Sequence, residues 1–154
     1  MPKKRVFDEG DCIAVPLSDG GYAVGIVARA DGKGAAVGYF FGPRYEDITQ
    51  NMTARPLQPS EAVFVALFGD MGIRKGQWKV LGRYPRWQRD DWPNPSFLRV
   101  DGFGGRWRVT YSESDLCQEA EVEPITQLAA GNLPQDGAYG FVAVERVLAS
   151  LLPV

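Results

Sequence analysis

Residues 10–30, GDCIAVPLSDGGYAVGIVARA, restrict the fold more than any other part of the chain, because two apolar runs flank a turn sequence. Asp and Gly favour two-residue hairpin turns, so we predict a β-hairpin centred on Asp19-Gly20. The large side chains of both strands then share one face, through the pairs Leu17–Tyr22, Val15–Val24 and Ile13–Ile26. The opposite face carries only small residues and Pro16, so it is either bare or closely covered by another element.

A third strand extends this pattern through a second tight turn at Gly32-Lys33. The bulky residues again fall on one face, through the pairs Ala28–Val37, Ile26–Tyr39 and Val24–Phe41. A slip of one residue in either turn would scatter these side chains over both faces. The sequence therefore predicts a three-stranded antiparallel meander, in which Gly42-Pro43 ends the third strand.

A second hairpin is predicted with Gly104-Gly105 at its turn. One face then holds the pairs Trp107–Gly102, Val109–Val100 and Tyr111–Leu98. The other face places Arg108 opposite Asp101 as an ion pair and Arg106 opposite Phe103 as a cation–π contact. Both contacts are typical of a solvent-facing side and support this register.

The remaining segments are mostly short. Residues 62–68, AVFVALF, predict a buried strand, residues 77–85 a half-exposed strand, and residues 86–95 a surface loop that carries two tryptophans. Residues 138–152 have apolar side chains at helical spacing, at Phe141, Val144, Leu148 and Leu151, although YGFVAV also alternates like a strand. We predict one domain over residues 1–154. It is mainly β, a small antiparallel sheet or SH3-like partly open barrel built from hairpins, with a C-terminal helix.

The composition excludes most catalytic chemistry. The chain has 0 His, which removes Ser-His-Asp and Cys-His nucleophiles, His general bases and nearly all zinc sites. The carboxylate pairs Glu46/Asp47 and Asp90/Asp91 are sequence neighbours, which rarely converge on one substrate, and GFGG is explained by the hairpin turn rather than by a phosphate loop. We predict no enzyme activity, no metal and no cofactor.

Charges are segregated along the chain. Residues 74–108 hold 9 Lys or Arg against 3 Asp or Glu, whereas residues 109–145 hold 0 against 7. The two segments either pair with each other or face external partners. The basic segment also holds the aromatic rings expected of a single-stranded nucleic-acid platform, at Trp78, Tyr84, Trp87, Trp92 and Trp107. The alternative is that Trp78 and Trp107 are core residues while Trp87 and Trp92 pack a loop. A pI of about 5.2 argues against a dedicated nucleic-acid binder.

The sequence also predicts the cellular compartment of the protein. Its basic start, MPKKRVFDEGD, has no apolar segment behind it, and no apolar run approaches the roughly 18 residues that cross a bilayer. We therefore predict a cytoplasmic protein without a membrane partner.

Two motifs resemble the Immunity protein 26 family, the small proteins encoded beside bacterial polymorphic toxins. The first, GDCIAVPLSDGGYAVGIV, carries Gly10, Asp11, Ile13, Pro16, Leu17, Gly20, Tyr22 and Gly25. The second, GIRKGQWKVLGRYP, carries Gly76, Trp78, Gly82 and Pro85. The resemblance implies a β-rich antitoxin without a catalytic role that binds and blocks a cognate toxin. From the residues, we interpret the motif positions as structural, with Pro16 at a strand edge.

Toxin contacts are expected on other surfaces, and two hypotheses follow. The first is the acidic run, which would dock on the basic cleft of a nuclease toxin, at Glu113, Asp115, Glu119, Glu121 and Glu123. The second is an exposed loop with residue types favoured at hot spots, at Arg86, Trp87, Arg89 and Trp92. The alternative function is an SH3-like nucleic-acid or regulatory binding module that uses the basic aromatic segment 74–108.

Overall fold

The computed structural model describes residues 6–154; Met1 to Arg5, the basic start of the sequence, lie outside the described residues. Its strands are β1 Asp11–Pro16, β2 Tyr22–Ala30, β3 Ala35–Tyr45, β4 Phe64–Gly69, β5 Lys79–Arg83, β6 Ser96–Val100, β7 Arg106–Ser112, β8 Asp115–Pro124 and β9 Ala138–Tyr139. Its α-helices are α1 Asn51–Ala54, α2 Met71–Arg74, α3 Gln127–Ala130 and α4 Phe141–Leu151, and 3-10 turns lie at Pro59–Glu61 and Arg89–Asp91.

The strands form two sheets. The first sheet has the order β5-β1-β2-β3-β4-β9, and the second has the order β6-β7-β8. All pairings are antiparallel except that of β4 with β9. The predicted mainly β fold with a C-terminal helix is confirmed, and among residues 6–154 neither sheet closes into a barrel.

The predicted register of the first hairpin is wrong by one residue. Ile13 lies opposite Gly25, and Val15 lies opposite Ala23. The loop is longer than a two-residue turn. Its positive φ angles fall on Gly20 (110°) and Gly21 (77°), and no non-Gly residue among those described, Asp19 included, has a positive φ.

This register buries the first sheet on both faces. One face holds the large β1 side chains with Phe40, Phe68 and Trp78, and the other face holds the large β2 side chains with Phe41 and Trp92. Small residues lie beside large ones across the sheet, since a Cβ added at Gly25 would come within 2.8 Å of the Phe40 ring. The expectation that all bulk shares one face is therefore wrong, because both faces are covered.

The predicted pairing of the second and third strands of the meander is correct except next to the turn. Ile26 pairs with Tyr39 and Val24 pairs with Phe41, as expected. Closer to the turn the register shifts, so Val37 lies opposite Arg29 instead of Ala28. The third strand also runs past Gly42-Pro43 and ends at Tyr45.

The Asp31 side chain accounts for the altered tip of the meander. Its Oδ1 accepts the amides of Lys33 and Ala35, at 2.8 and 3.2 Å, and so closes a loop longer than the predicted two residues. The strands predicted at 62–68 and 77–85 are β4 and β5, and β5 pairs with β1.

The second hairpin departs from its predicted register. Phe97 lies opposite Val109, Arg99 opposite Trp107 and Leu98 opposite Arg108. Asp101 does not pair with Arg108; its carboxylate instead accepts hydrogen bonds from the loop that follows it. The predicted pairing of Arg106 with Phe103 is wrong as well, because Arg106 lies opposite Val100. Residues 115–124, which have no clear pattern in the sequence, add β8 to this sheet.

The C-terminal helix α4 packs on the first sheet. Val144 and Leu148 are fully buried against it, while Leu151 is exposed and Leu152, just past the helix, is buried instead. Arg44 on β3 donates to the Ala149 and Leu152 carbonyls at 3.1 and 2.7 Å. A cation at this position satisfies carbonyls that the helix leaves free and complements its dipole.

Replacing Arg44 tests this contact. We expect Arg44→Met to lower the free energy of unfolding by about 1.5–3 kcal/mol, since the hydrogen bonds from this charged donor to the helix end, and those to Asp19 and the Gly20 carbonyl, are lost. The measurement is the urea midpoint followed by circular dichroism. Arg146→Met, on the exposed side of the same helix, is the matched control and should leave the midpoint unchanged. Equal midpoints for wild type and Arg44→Met would contradict a role of Arg44 in holding the helix.

Candidate functional site

The predicted acidic run lies in the turn before β8 and along β8 itself, and most of it is already paired. Glu113 binds Arg29 and Arg89, Asp115 lies 3.8 Å from Lys33, Glu119 lies 2.6 Å from Arg99, and Glu123 binds Arg108. Four ion pairs among the described residues thus join the basic segment to the acidic one, through Arg89, Arg99 and Arg108, as one of the two sequence interpretations expected. Within residues 6–154, no ion pair or side-chain hydrogen bond involves Glu121.

These carboxylates do not form a single acidic surface. Glu121 and Glu123 lie opposite Thr110 and Arg108, on one face of the second sheet. The register shifts before Glu119, whose carboxylate binds Arg99 on the other face. The acidic run is therefore split between two faces and largely neutralised. Its most accessible part is β8 from Cys117 to Pro124, where every residue is exposed.

A second group of charges connects the two sheets. Arg29, only 5% exposed, donates to the Ala28 and Trp92 carbonyls at 2.6 and 2.8 Å and binds Glu113. Arg89 also binds Glu113, at 2.8 Å, and Glu9, at 2.9 Å. The hydrogen bond from Arg29 is the main cause that lowers the pKa of Glu113. Glu113 and Arg89, both predicted as toxin contacts, thus hold β2, the 86–95 loop and the β7–β8 turn together.

The 86–95 loop is not the exposed aromatic surface that was predicted. Trp92 is 2% exposed and meets Tyr39, Phe41 and Tyr84 edge-on, with ring centroids 5.4–6.1 Å apart. Trp87 stacks against Trp92 at 6.4 Å. Aromatic residues favoured at interfaces are equally favoured in cores. Here the rings of Trp87 and Trp92 pack the loop onto the first sheet, as the alternative interpretation of these two residues expected. Arg86 remains exposed.

The motif positions are occupied by residues with structural roles. Gly10 has φ +94°, and a Cβ there would lie 2.8 Å from the Trp87 ring. Gly82 has φ +103° at the register shift between β5 and β1. Trp78 is buried and donates its indole N–H to Glu145 at 2.9 Å. Pro16 lies beyond the end of β5, which pairs only with Asp11 to Ala14, so its missing N–H costs no ladder hydrogen bond.

A polar cluster on the second sheet is satisfied internally. Asp136 accepts from Arg99 Nε at 2.7 Å and from the Tyr111 hydroxyl. Burial, followed by the hydrogen bond to Asp136, raises the pKa of Tyr111 to about 12. Both carboxylate oxygens of Asp136 are occupied, so this cluster orders the sheet. Across residues 6–154 no three His, Cys, Asp or Glu side chains are arranged to hold a metal ion, and no helix in this range has the length and apolarity needed to cross a bilayer.

Two surface features were not identified from the sequence. The first is a cleft of about 710 Å³ between residues 56–60 and 84–93, with Leu57, Tyr84 and Trp92 in its floor and Arg86 on its rim. The second is Phe103, fully exposed at the tip of the β6–β7 hairpin. An apolar residue inside the turn sequence GFGG was the available signal for Phe103. The cleft joins segments that are distant in sequence and leaves no such signal.

The ion pair of Glu113 predicts a pH dependence. Because its pKa is lowered in the folded protein, the carboxylate contributes stability that is present above its ordinary value of 4.5 and is lost as pH falls through the folded pKa. We expect Glu113→Gln to lower the free energy of unfolding by about 1 kcal/mol at pH 7, since solvent screens a half-exposed pair. The difference from wild type should disappear below the folded pKa.

Chemical denaturation between pH 7 and pH 3 measures this difference. Glu121→Gln, which removes a carboxylate without a partner, is the control and should match wild type throughout. A Glu113→Gln effect that stays constant with pH would show that the ion pair is not its cause.

A family model described as Immunity protein 26 matches residues 8–109 of the 154-residue chain. No curated protein and no solved structure matches the chain. The matched range holds both sequence motifs, the whole of β1 to β6 and most of β7. Since the match spans more than half of the sequence and covers the elements whose glycines, Trp78 and Pro16 have structural roles, the chain belongs to the Immunity protein 26 family.

Proposed function

We propose that this protein binds a cognate toxin domain of a bacterial polymorphic toxin and neutralises it by non-catalytic protein–protein inhibition. The observation that carries the proposal is the family match over residues 8–109, which supports an immunity-protein role. An inhibitor needs a stable scaffold and a complementary surface, and it needs no catalytic residues. The charged clusters around Arg29 and Arg99 suit such a scaffold, because their polar groups bind one another.

The proposed contact surface is the β8 face that carries Glu121 and Glu123. Both residues are exposed, and the side chains of Glu123 and Arg108 are 50% and 44% exposed, so their ion pair is weak and a basic partner can replace it. A nuclease toxin fits this surface, since its phosphate-binding cleft is basic and carboxylates would occupy the phosphate position. Arg86 on the rim of the 710 Å³ cleft remains from the loop hypothesis as a second contact.

The alternative function, a nucleic-acid binding module on segment 74–108, has weaker support than the toxin contact, although Trp87 and Trp107 are only half-buried. Trp78 and Trp92 are 1% and 2% exposed, so neither ring is available for base stacking. Arg89, Arg99 and Arg108 bind carboxylates rather than facing solvent alone. The cytoplasmic compartment is part of the proposal, because an immunity protein of this kind protects the cell in which the toxin is made.

Co-expression with the toxin domain encoded by the adjoining gene tests the function. We expect wild-type protein to restore growth and to co-purify with that domain as a stable complex. No rescue and no complex with the wild-type chain would refute the proposed function.

Charge reversal on β8 tests the contact surface. We expect Glu121→Lys with Glu123→Lys to slow association with the toxin domain by about tenfold at low salt, because electrostatic attraction becomes repulsion. The association rate is measured by stopped-flow fluorescence at several salt concentrations. The matched control, Glu46→Lys with Asp47→Lys, makes the same change in net charge at exposed positions of the β3–α1 connection. Equal slowing in both variants would remove β8 as the specific surface.

A further inference from the structure

The tip of the β6–β7 hairpin presents an aromatic side chain entirely to solvent. Phe103 is 100% exposed, and Val100, at the end of β6, is 51% exposed. The buried core clusters of residues 6–154 include neither residue. Single exposed apolar residues are common on protein surfaces, so exposure alone indicates nothing. Phe103 differs from an ordinary surface residue because hydrogen bonds fix the loop that carries it.

The loop that carries Phe103 is held by one carboxylate. Asp101 accepts the Phe103 and Gly105 amides, each at 2.8 Å, and the Trp107 indole N–H at 3.0 Å. The Asp101 amide also donates to the Gly105 carbonyl at 2.9 Å. These hydrogen bonds lower the pKa of Asp101, with the Trp107 bond as the largest cause. Three donors on one side chain leave the loop little freedom to rearrange.

Two glycines allow this loop to form. Gly104 has φ +82°, which other residues rarely adopt. A side chain at Gly105 would collide with the Asp101 carboxylate. The backbone around Phe103 is therefore shaped before any partner arrives, so binding through the ring would lose little conformational entropy.

We infer that Phe103 is the anchor of the toxin interface and inserts into an apolar pocket of the toxin domain. This inference rests on the proposed function and adds the chemistry of the partner surface. Glu123 and Glu121 follow from the hairpin tip along β8, on the face that also carries Arg106 and Arg108 of β7. Because Arg108 pairs with Glu123, the rim of the pocket should be basic only where it meets Glu121. A rigid aromatic anchor next to solvent-exposed charges is the usual composition of a binding hot spot and its rim.

A second copy of the chain is a poorer partner for the ring. The cleft lined by residues 56–60 and 84–93 has Leu57, Tyr84 and Trp92 in its floor, but these side chains are only 5%, 3% and 2% exposed. Its lining also carries the charged residues Arg86, Asp90 and Asp91, which an entering phenyl ring would desolvate.

The test compares Phe103→Ser with Leu128→Ser, using the purified toxin domain of the adjoining gene as the probe. Leu128, on α3, is 92% exposed and provides a matched loss of apolar surface away from the hairpin. We expect Phe103→Ser to raise the Kd by roughly 30-fold or more, as for a hot-spot residue. Phe103→Leu should recover part of the affinity, and Leu128→Ser should bind like wild type. The melting temperatures of all variants should be unchanged, because Phe103 has no intramolecular packing to lose.

The outcomes separate this inference from the proposed function. If wild type does not bind the toxin domain, the proposed function fails and the inference fails with it. If wild type binds and Phe103→Ser binds equally well, the function stands and the anchor is refuted. If Phe103→Ser leaves the affinity for the toxin domain unchanged but lowers the mass of the free protein in sedimentation, the ring mediates contact between copies of the chain. That result would also overturn the inference.

Discussion

The structure depends on a first sheet that is buried on both faces. This arrangement follows from the pairing of β1 with β2, in which Ile13 lies opposite Gly25 and Val15 opposite Ala23. On each face, a large side chain of one strand lies beside a small residue of the neighbouring strand. The large side chains are therefore divided between the two faces of the sheet. Helix α4 and Trp78 cover one face, and Trp92 with the segment around Leu57 covers the other. A chain of 154 residues is long enough to bury such a core without disulfide or metal cross-links.

A buried apolar cluster, in which Phe97 and Leu116 pack on Val37 and Leu67, joins the smaller sheet to this core, and electrostatic pairing adds to it. Arg29 is almost completely buried, yet its guanidinium reaches two carbonyls and the Glu113 carboxylate. The two carbonyls compensate the buried guanidinium, and Glu113, whose side chain is 47% exposed, adds an ion pair that solvent screens. The acidic half of the segregated charges is thus mostly paired within the protein, whereas the exposed Lys75, Lys79 and Arg86 form no ion pair within residues 6–154. The proposed toxin contact is drawn from charges that stay accessible, Glu121 on β8 and Arg86 on the rim of the cleft.

The proposed binding surface and the scaffold use different residues. The family motifs lie where backbone conformation and close packing demand them, at Gly10, Gly82 and Trp78. Phe103, Glu121 and Glu123 belong to no core cluster of residues 6–154, so substitutions there should change the proposed contact without loss of stability.

The sequence by itself determined the strands β1 to β7, the pairing of Ile26 with Tyr39 and of Val24 with Phe41, and the C-terminal helix, since alternation, glycine turns and helical spacing are local signals. The absence of histidine also removed histidine-dependent catalysis and nearly all zinc sites from the functions to consider. Only the tertiary structure decided the hairpin registers, because turn length depends on side chains such as Asp101 and Asp31 that bind the loop backbone. The tertiary structure also decided which charged side chains lack an ion-pair partner among residues 6–154 and how deeply each tryptophan is buried. Those outcomes depend on contacts between residues far apart in sequence, such as Arg29 with Glu113 and Tyr39 with Trp92, which no local pattern encodes.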